Sequence, residues 1–340
     1  MNVIGLYDGF GPSYHRIYTP LKNILGVENI MITNRLTDER LTDFKCDVLF
    51  FNRIPPGNTI DEVIEGREKY GYKIVVDMDD HFQLDAGHIM YDYYQQHNIS
   101  NMILQALTIA DAVTVTHEKL GEALSAYNSN IWVLPNAICN TFDQFTTERV
   151  KSDKVRLFWQ GSVTHEKDIN ILKYPLCRIS NDRMRDHIMM VLAGYHEGEA
   201  TWQRMAHDYT SGLNIPGAIL PGGKVEEYYQ NYKFADVALV PLVQSRFNSY
   251  KSNLKVLEAA NMGIPVVVSN VEPYADVFPP EFVNYIKSQK DWYTSIKKLV
   301  NNATFRYEQG QALRTWCNLY YNFDHINSSR FDLFKSLCSQ

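Results

Sequence analysis

The chain has no long apolar run and no paired cysteines, and these two absences remove several protein classes at once. No stretch approaches the roughly 18 apolar residues that a membrane-spanning helix needs. The N-terminus MNVIGLYDGF passes straight into a strand-like pattern instead of a charged, apolar, cleavable leader. A cytoplasmic protein without membrane attachment is the expectation. The five cysteines, Cys46, Cys139, Cys177, Cys317 and Cys338, are odd in number and scattered, with no CxxC pair. Neither a disulfide framework nor a zinc site is indicated, and reduced thiols are expected. Internal repeats and low-complexity segments are also missing, as are a basic tail and a basic-aromatic helix for docking on lipid.

Positive charge is scarce in the first half. Up to residue 150 there are 11 Lys plus Arg against 20 Asp plus Glu, a net of −9, while the remainder carries +3. A surface for anionic partners is therefore expected to be local, and the acidic first half counts against nucleic acid. A patch drawn from Arg16, Arg35, Arg53 and Arg67 is the local arrangement that would overrule net charge.

What is present is a regular alternation. At 340 residues and 45% hydrophobic, the chain is long enough for two domains with separate cores. Short apolar runs at 2–8, 29–33, 47–53, 73–80, 111–116 and 130–136 are mostly separated by helix-length segments. After a polar interval at 140–154 the pattern restarts at 155–162, 187–194, 217–222, 235–242, 264–270 and 282–287. This is the signature of parallel α/β sheets, so the fold class is α/β with two tandem Rossmann-like domains. The expected division is a first domain over 1–145, a second over 155–303, and C-terminal helices over 304–340 that return toward the first domain.

In doubly wound sheets ligands sit beyond the carboxyl ends of the strands, so the residues after each strand are the candidates. After the first run comes GFGPSYHR, where Gly9 and Gly11 let the backbone approach a ligand at a helix N-terminus. The pattern lacks the third glycine of GxGxxG, and no acidic residue closes the second run, which disfavours a dinucleotide dehydrogenase. A glycine turn without a ligand is the alternative. After the fourth run comes DMDD, with Asp77 and Asp79 expected on one side of the extended chain and Asp80 on the other. These carboxylates suit hydroxyl recognition or general-base work, with a divalent metal as the weaker alternative. His81 beside them reads as a structural neighbour.

FWQGSVTHEKDI opens the second domain. Gly161 and Ser162 end a strand, and His165 and Lys167 fall in the first turn of the helix expected near Thr164, a place that suits a diphosphate. A plain Thr164 N-cap with an exposed His165 is the alternative. Further on, KSNLKVLEAANMGIPVVVS places Lys251 at the mouth of a helix starting at Leu254, with Ser252 or Asn253 as its cap. Lys255 and Glu258 lie one turn apart, suited to phosphate and to a ribose diol respectively, or else a Lys–Glu surface pair. Gly263 ends the helix.

Residues 217–270 resemble the nucleotide-sugar domain of GT-B glycosyltransferases, in particular family four of the retaining enzymes. The shared pattern is a strand ending in glycine, a helix, an ADV-apolar-P strand, a loop, a helix bearing a glutamate, and G-x-PVV. The resemblance implies that Pro221, Gly222 and Gly223 lie near the nucleobase and that Glu258 takes the ribose. It further implies that Gly161, Ser162, His165, Lys251 and Lys255 surround the diphosphate, with Gly11 and Lys167 as further donor contacts. Two departures mark a divergent branch. Tyr250 stands where the family commonly has a glutamate, and Ser162, His165 and Lys167 replace the usual Arg and Lys pair.

The implied activity is transfer of a sugar from a nucleoside diphosphate to an acceptor hydroxyl, with retention at the anomeric carbon. It needs no metal and no cofactor beyond the nucleotide sugar. Asp77, Asp79 and Asp80 serve the acceptor in the cleft between the domains. The acceptor is expected to be soluble: a saccharide, a protein, or the hydroxymethyl group of a modified phage DNA base. A nucleotide-sugar epimerase of the same fold and a non-catalytic sugar-nucleotide binder are the competing readings.

Overall fold

In the computed structural model, which describes residues 1–339, the twelve apolar runs are twelve strands in two sheets of six. The first sheet holds β1 (Asn2–Leu6), β2 (Asn29–Thr33), β3 (Val48–Asn52), β4 (Lys73–Met78), β5 (Ala112–Val115) and β6 (Ile131–Val133), in the order β2-β1-β3-β4-β5-β6. The second holds β7 (Val155–Gln160), β8 (Ile188–Tyr195), β9 (Gly217–Pro221), β10 (Val237–Val240), β11 (Val266–Ser269) and β12 (Asn284–Ile286), in the order β12-β11-β10-β7-β8-β9. Every pairing is parallel. The α/β expectation holds.

The chain divides into two compact units. One comprises 1–137, 250–252 and 321–339; the other comprises 138–249 and 253–320. Residues 138–145, expected in the first domain, fall in the second unit. Of the C-terminal helices, Ala303–Tyr320 stays with the second unit and the last, Phe323–Cys338, falls in the first.

In the first unit, β3 is buried along its whole length, as a central parallel strand covered on both faces must be. Its residues alternate: Leu49 and Phe51 pack with Ile4, Leu6, Ile74 and Val76, whereas Val48 and Phe50 pack with Val3, Val75, Leu333 and Phe334. The helix Phe323–Cys338 therefore seals one face, with the rings of Phe50 and Phe334 5.3 Å apart. The other face is covered in part by the helix Ile60–Tyr70. Thr59 and Glu62 form a capping box at its start, and Gly71 ends it at φ +78°.

In the second unit, Val237, Leu239, Leu157 and Trp159 join Trp202, Trp292 and Leu299 in a single core. The helix Leu254–Asn261 is closed by Gly263 at φ +63°. It packs closely on the helix Ala303–Tyr320: a Cβ on Gly310 would lie 2.2 Å from the Gly263 carbonyl oxygen. No helix among the described residues is long and apolar enough to cross a membrane.

Candidate active site

The first unit gathers a charged cluster at the carboxyl ends of β3, β4 and β5. After Gly9, at φ +86°, the short helical turn Gly11–Ser13 widens into a π-helical turn over Tyr14–Tyr18, which carries His15 and Arg16 inward. Arg16 donates to both Asp77 carboxylate oxygens at 2.8–3.1 Å and to the Leu134 carbonyl at 2.7 Å. The Thr114 hydroxyl and the Asn52 amide donate to the same carboxylate at 2.6 and 3.0 Å. Asp77 is 0% exposed. This corrects the expectation that all three carboxylates face a ligand: Asp77 is sealed inside the sheet edge as the counter-ion of Arg16.

Asp79 and Asp80 sit nearer the surface. The Arg53 guanidinium grips Asp79 through Nε and Nη2, both at 2.8 Å, and reaches Asp80 at 3.3 Å. Arg53 adopts φ +58°, a strained backbone of the kind that persists where surroundings over-determine it. Burial would lift the Asp79 carboxyl, but the charge and hydrogen bonds of Arg53, with Asn52 and Arg16, hold it below the usual carboxylate range. The His15 imidazole goes the other way: burial, reinforced by Arg16, pushes it down to about 4. Three of the four arginines expected in a local basic patch are committed to other groups, while Arg35 stays exposed 4.0 Å from Glu62. Arg16 is buried, Arg53 is committed to two carboxylates, and Arg67 donates to the Ile109 carbonyl.

Residues 250–252 belong to this unit. Lys251 Nζ lies 3.6 Å from Asp80, so it joins the acidic cluster rather than the Lys255 helix that follows it in sequence. The Tyr250 ring lies 4.7 Å from the His81 ring, and its carbonyl meets His117 Nε2 at 3.1 Å. Asn253 takes the N-cap position of the helix Leu254–Asn261 as expected, but without a side-chain cap bond, and Ser252 instead accepts from Asn136.

In the second unit, the carboxyl ends of β7, β8 and β9 come together, with Gly161 just after β7, Gly194 near the end of β8 and Gly222 just after β9. A Cβ on Gly194, at φ +110°, would lie 2.1 Å from the Gly161 carbonyl oxygen, and one on Gly222 would lie 2.7 Å from His196 Nε2. Only a bare backbone at Gly194 lets it approach the Gly161 carbonyl so closely, whereas Gly222 makes room for the His196 ring. Pro221 and Gly223 flank Gly222 at the surface, and Ser162 and Lys167 are exposed. His165 is not left loose. Its Nδ1 meets Asp168 Oδ2 at 2.7 Å, and Asp168 Oδ1 accepts the Val243 N–H at 2.8 Å. Burial would raise the Asp168 carboxyl, but the His165 contact, Val243 and Lys255 hold it low. Asp168 went unremarked in the sequence, although its place three residues after His165 on one helical face was the available signal.

Lys255 Nζ lies 5.9 Å from the Trp159 ring centroid. Glu258 lies deeper than a ribose ligand is expected to, at 3% exposed. Tyr228 donates to its Oε1, Tyr232 donates to Oε2 at 3.0 Å, and Tyr229 donates to its backbone carbonyl. Burial pushes the Glu258 carboxyl up to about 7 in spite of these bonds and the nearby Lys255. The tyrosine run YYQNY was the sequence signal for this cage: Tyr228 and Tyr232 are four residues apart.

Residues 154–302 match the family model described as Glycosyl transferases group 1. Over this stretch, just under half of the chain, the likeness is to group 1 glycosyltransferases. No curated protein matches the chain. Among solved structures, a sucrose-phosphate synthase from Thermosynechococcus elongatus is similar over 100% of this chain and 99% of its own, at 12% identity and a TM-score of 0.69. A glycosyltransferase from Rickettsia africae aligns over 99% and 98% at 10% identity, also with a TM-score of 0.69. Anabaena HepE, in complex with UDP and glucose, aligns over 98% and 99% at 11% identity and 0.64. At such identities the likeness concerns the fold, and that fold is GT-B. The edge where Gly161, Gly194, Gly222, His165 and Lys255 converge lies within residues 154–302. Among the described residues, no three or more His, Cys, Asp or Glu side chains converge as a metal site would require.

Proposed function

We propose that the protein transfers a sugar from a nucleoside diphosphate to an acceptor hydroxyl, with retention and without a metal. The observation that carries this reading is the coincidence of the group 1 match, residues 154–302, with a strand edge of bare glycine turns, a clamped imidazole and a lysine. The Gly161 and Gly222 N–H groups are spent on the Ala193 and Tyr195 carbonyls, so the glycines make room for the diphosphate and the side chains meet its charge. Lys255 and His165, the latter oriented by Asp168, stabilise the charge that grows on the departing diphosphate. Pro221, Gly222 and Gly223 border the base. Glu258 receives the ribose hydroxyls once Tyr228 has moved aside, because the closed cage gives its carboxylate no open approach.

On the first unit, Asp79, Asp80, Arg53 and Lys251 bind acceptor hydroxyls, while Asp77 and Arg16 hold the strand ends that carry them. A carboxylate held at a low pKa is a weak base. The acceptor proton is therefore assigned to the departing phosphate oxygen. The anomeric carbon–oxygen bond breaks with its electron pair going to the diphosphate, and the acceptor oxygen bonds to that carbon on the same face. The paired arginines favour a saccharide or protein acceptor over DNA.

The test is incubation with a panel of nucleotide sugars and a pool of saccharide acceptors, followed by nucleoside diphosphate release and product mass. One donor should release its diphosphate with acceptor present. Epimerised nucleotide sugar appearing with no acceptor would replace the transferase reading, and binding without turnover across the panel would leave a non-catalytic binder.

A further inference from the structure

The second unit has a cavity of about 530 Å³ away from the glycine-turn edge, between the helix Lys173–Ser180, the turn Arg183–His187 and the helix Gln289–Asn301. The turn leads into the amino end of β8, so the cavity borders the edge of the sheet opposite to the one assigned to the nucleotide. Tyr174, Arg178, Asn181, Arg183 and Tyr293 line it.

Its charge is unbalanced. The Asp182 carboxylate is already engaged by Lys297 at 2.8 Å, by the Tyr293 hydroxyl at 2.5 Å and by the Met184 N–H at 3.0 Å. Those bonds hold the Asp182 carboxyl far below its usual range, led by Lys297. Arg178 and Arg183 are both exposed, and neither has a carboxylate partner among the described residues. The Arg178 guanidinium carbon lies 4.1 Å from the Tyr293 ring centroid, a cation–π contact that leaves its N–H donors for a ligand. Tyr174 shows 56% of its surface, an apolar ring face at the mouth.

We propose that this cavity is a second binding site, for a sugar ring bearing a phosphate or carboxylate. Two arginine forks match a tetrahedral or planar anion. The open Tyr174 face suits the C–H face of a pyranose, and the Asn181 Oδ1, its Nδ2 being donated to the Cys177 carbonyl, suits a hydroxyl. A cavity of this size is within the range that accommodates one or two sugar rings. A planar base is less well served, because Arg178 already covers the Tyr293 face and only one ring is left to stack on. The site takes either a free sugar phosphate or an acidic residue of a longer glycan. It does not depend on the nucleotide assignment.

Cys177 lines the same cavity and is exposed, whereas the other exposed thiol, Cys338, belongs to the first unit. Alkylation of the full chain thus carries an internal reference. A hexose 6-phosphate should slow Cys177 alkylation and leave Cys338 unchanged. A glucuronate-containing disaccharide that protects more strongly identifies a glycan residue as the ligand; weaker protection identifies the free sugar phosphate. Arg183→Gln, and Arg183→Gln combined with Arg178→Gln, should raise the concentration needed for protection by about tenfold or more, the loss expected for one charge-assisted bond. Circular dichroism and nucleoside diphosphate binding should be unaltered in both. The proposal is overturned if neither acidic sugar protects Cys177, if inorganic phosphate or uncharged hexose protects equally well, or if protection survives the double substitution.

Discussion

The tyrosine cage around Glu258 has a consequence for stability that can be read against pH. Burial raises the carboxyl from its ordinary 4.5 to about 7, while in the unfolded chain it ionises at its ordinary value. Between those two pH values the unfolded state has released a proton that the folded state keeps. The stability from this group is therefore complete below pH 4.5 and is lost as pH rises toward 7. At about 1.36 kcal/mol per pKa unit, the loss is roughly 3 kcal/mol. His15 opposes it: its folded value, pushed down to about 4, makes stability fall as pH drops from the ordinary 6.5. The two trends overlap and nearly cancel, so the wild-type profile alone says little. The informative quantity is the difference between wild type and Glu258→Gln, in which the amide keeps the shape and can both accept from one phenol and donate to the other. Urea unfolding at pH 4 and pH 8 should show the variant gaining about 3 kcal/mol relative to wild type across that interval. Parallel profiles for the two proteins would refute the buried, raised carboxyl.

Arg16→Ala should cost about 3–5 kcal/mol in urea unfolding, because it leaves Asp77 charged and unpaired where it is wholly buried. An effect below about 1 kcal/mol, the level of a surface pair, would mean Asp77 is not sealed. Gly310→Ala should lower stability by about 1–3 kcal/mol, since its Cβ would lie 2.2 Å from the Gly263 carbonyl oxygen, and an unchanged melting temperature would contradict that contact. Turnover, assayed with the donor identified from the panel, should survive EDTA; activity lost on chelation and restored by Mn²⁺ or Mg²⁺ would require Asp79 and Asp80 to hold a cation.

The strands were legible because each is a short apolar run, and runs that are buried on both faces carry the strongest signal a sequence offers. Gly263 was readable as a helix end for an equally local reason. The clusters that depend on distant pairing were not. Arg16 and Asp77 stand 61 positions apart, and nothing in either neighbourhood announces the other. The helix start at Leu254 was readable, but Lys251 just ahead of it looked like a partner of Lys255 because sequence proximity does not reveal that residues 250–252 belong to the other unit. Glu258 was recognisable as a candidate for the ribose from its place on the helix, but its burial was not. Its closure by Tyr228 and Tyr232 depends on a turn 26–30 residues away folding over it. The wide π turn over Tyr14–Tyr18, which aims Arg16 inward, has no periodicity that a 3.6-residue template detects.

The central claim is that the glycine-turn edge of the second unit holds a nucleoside diphosphate through Lys255. Titration calorimetry with UDP, GDP, ADP and dTDP against wild type and Lys255→Ala tests it without needing an acceptor. At least one diphosphate should bind wild type and lose about 1.5–3 kcal/mol in the variant, roughly 10- to 150-fold in affinity. No binding by any of them to wild type, or equal affinity in the two proteins, would contradict the account.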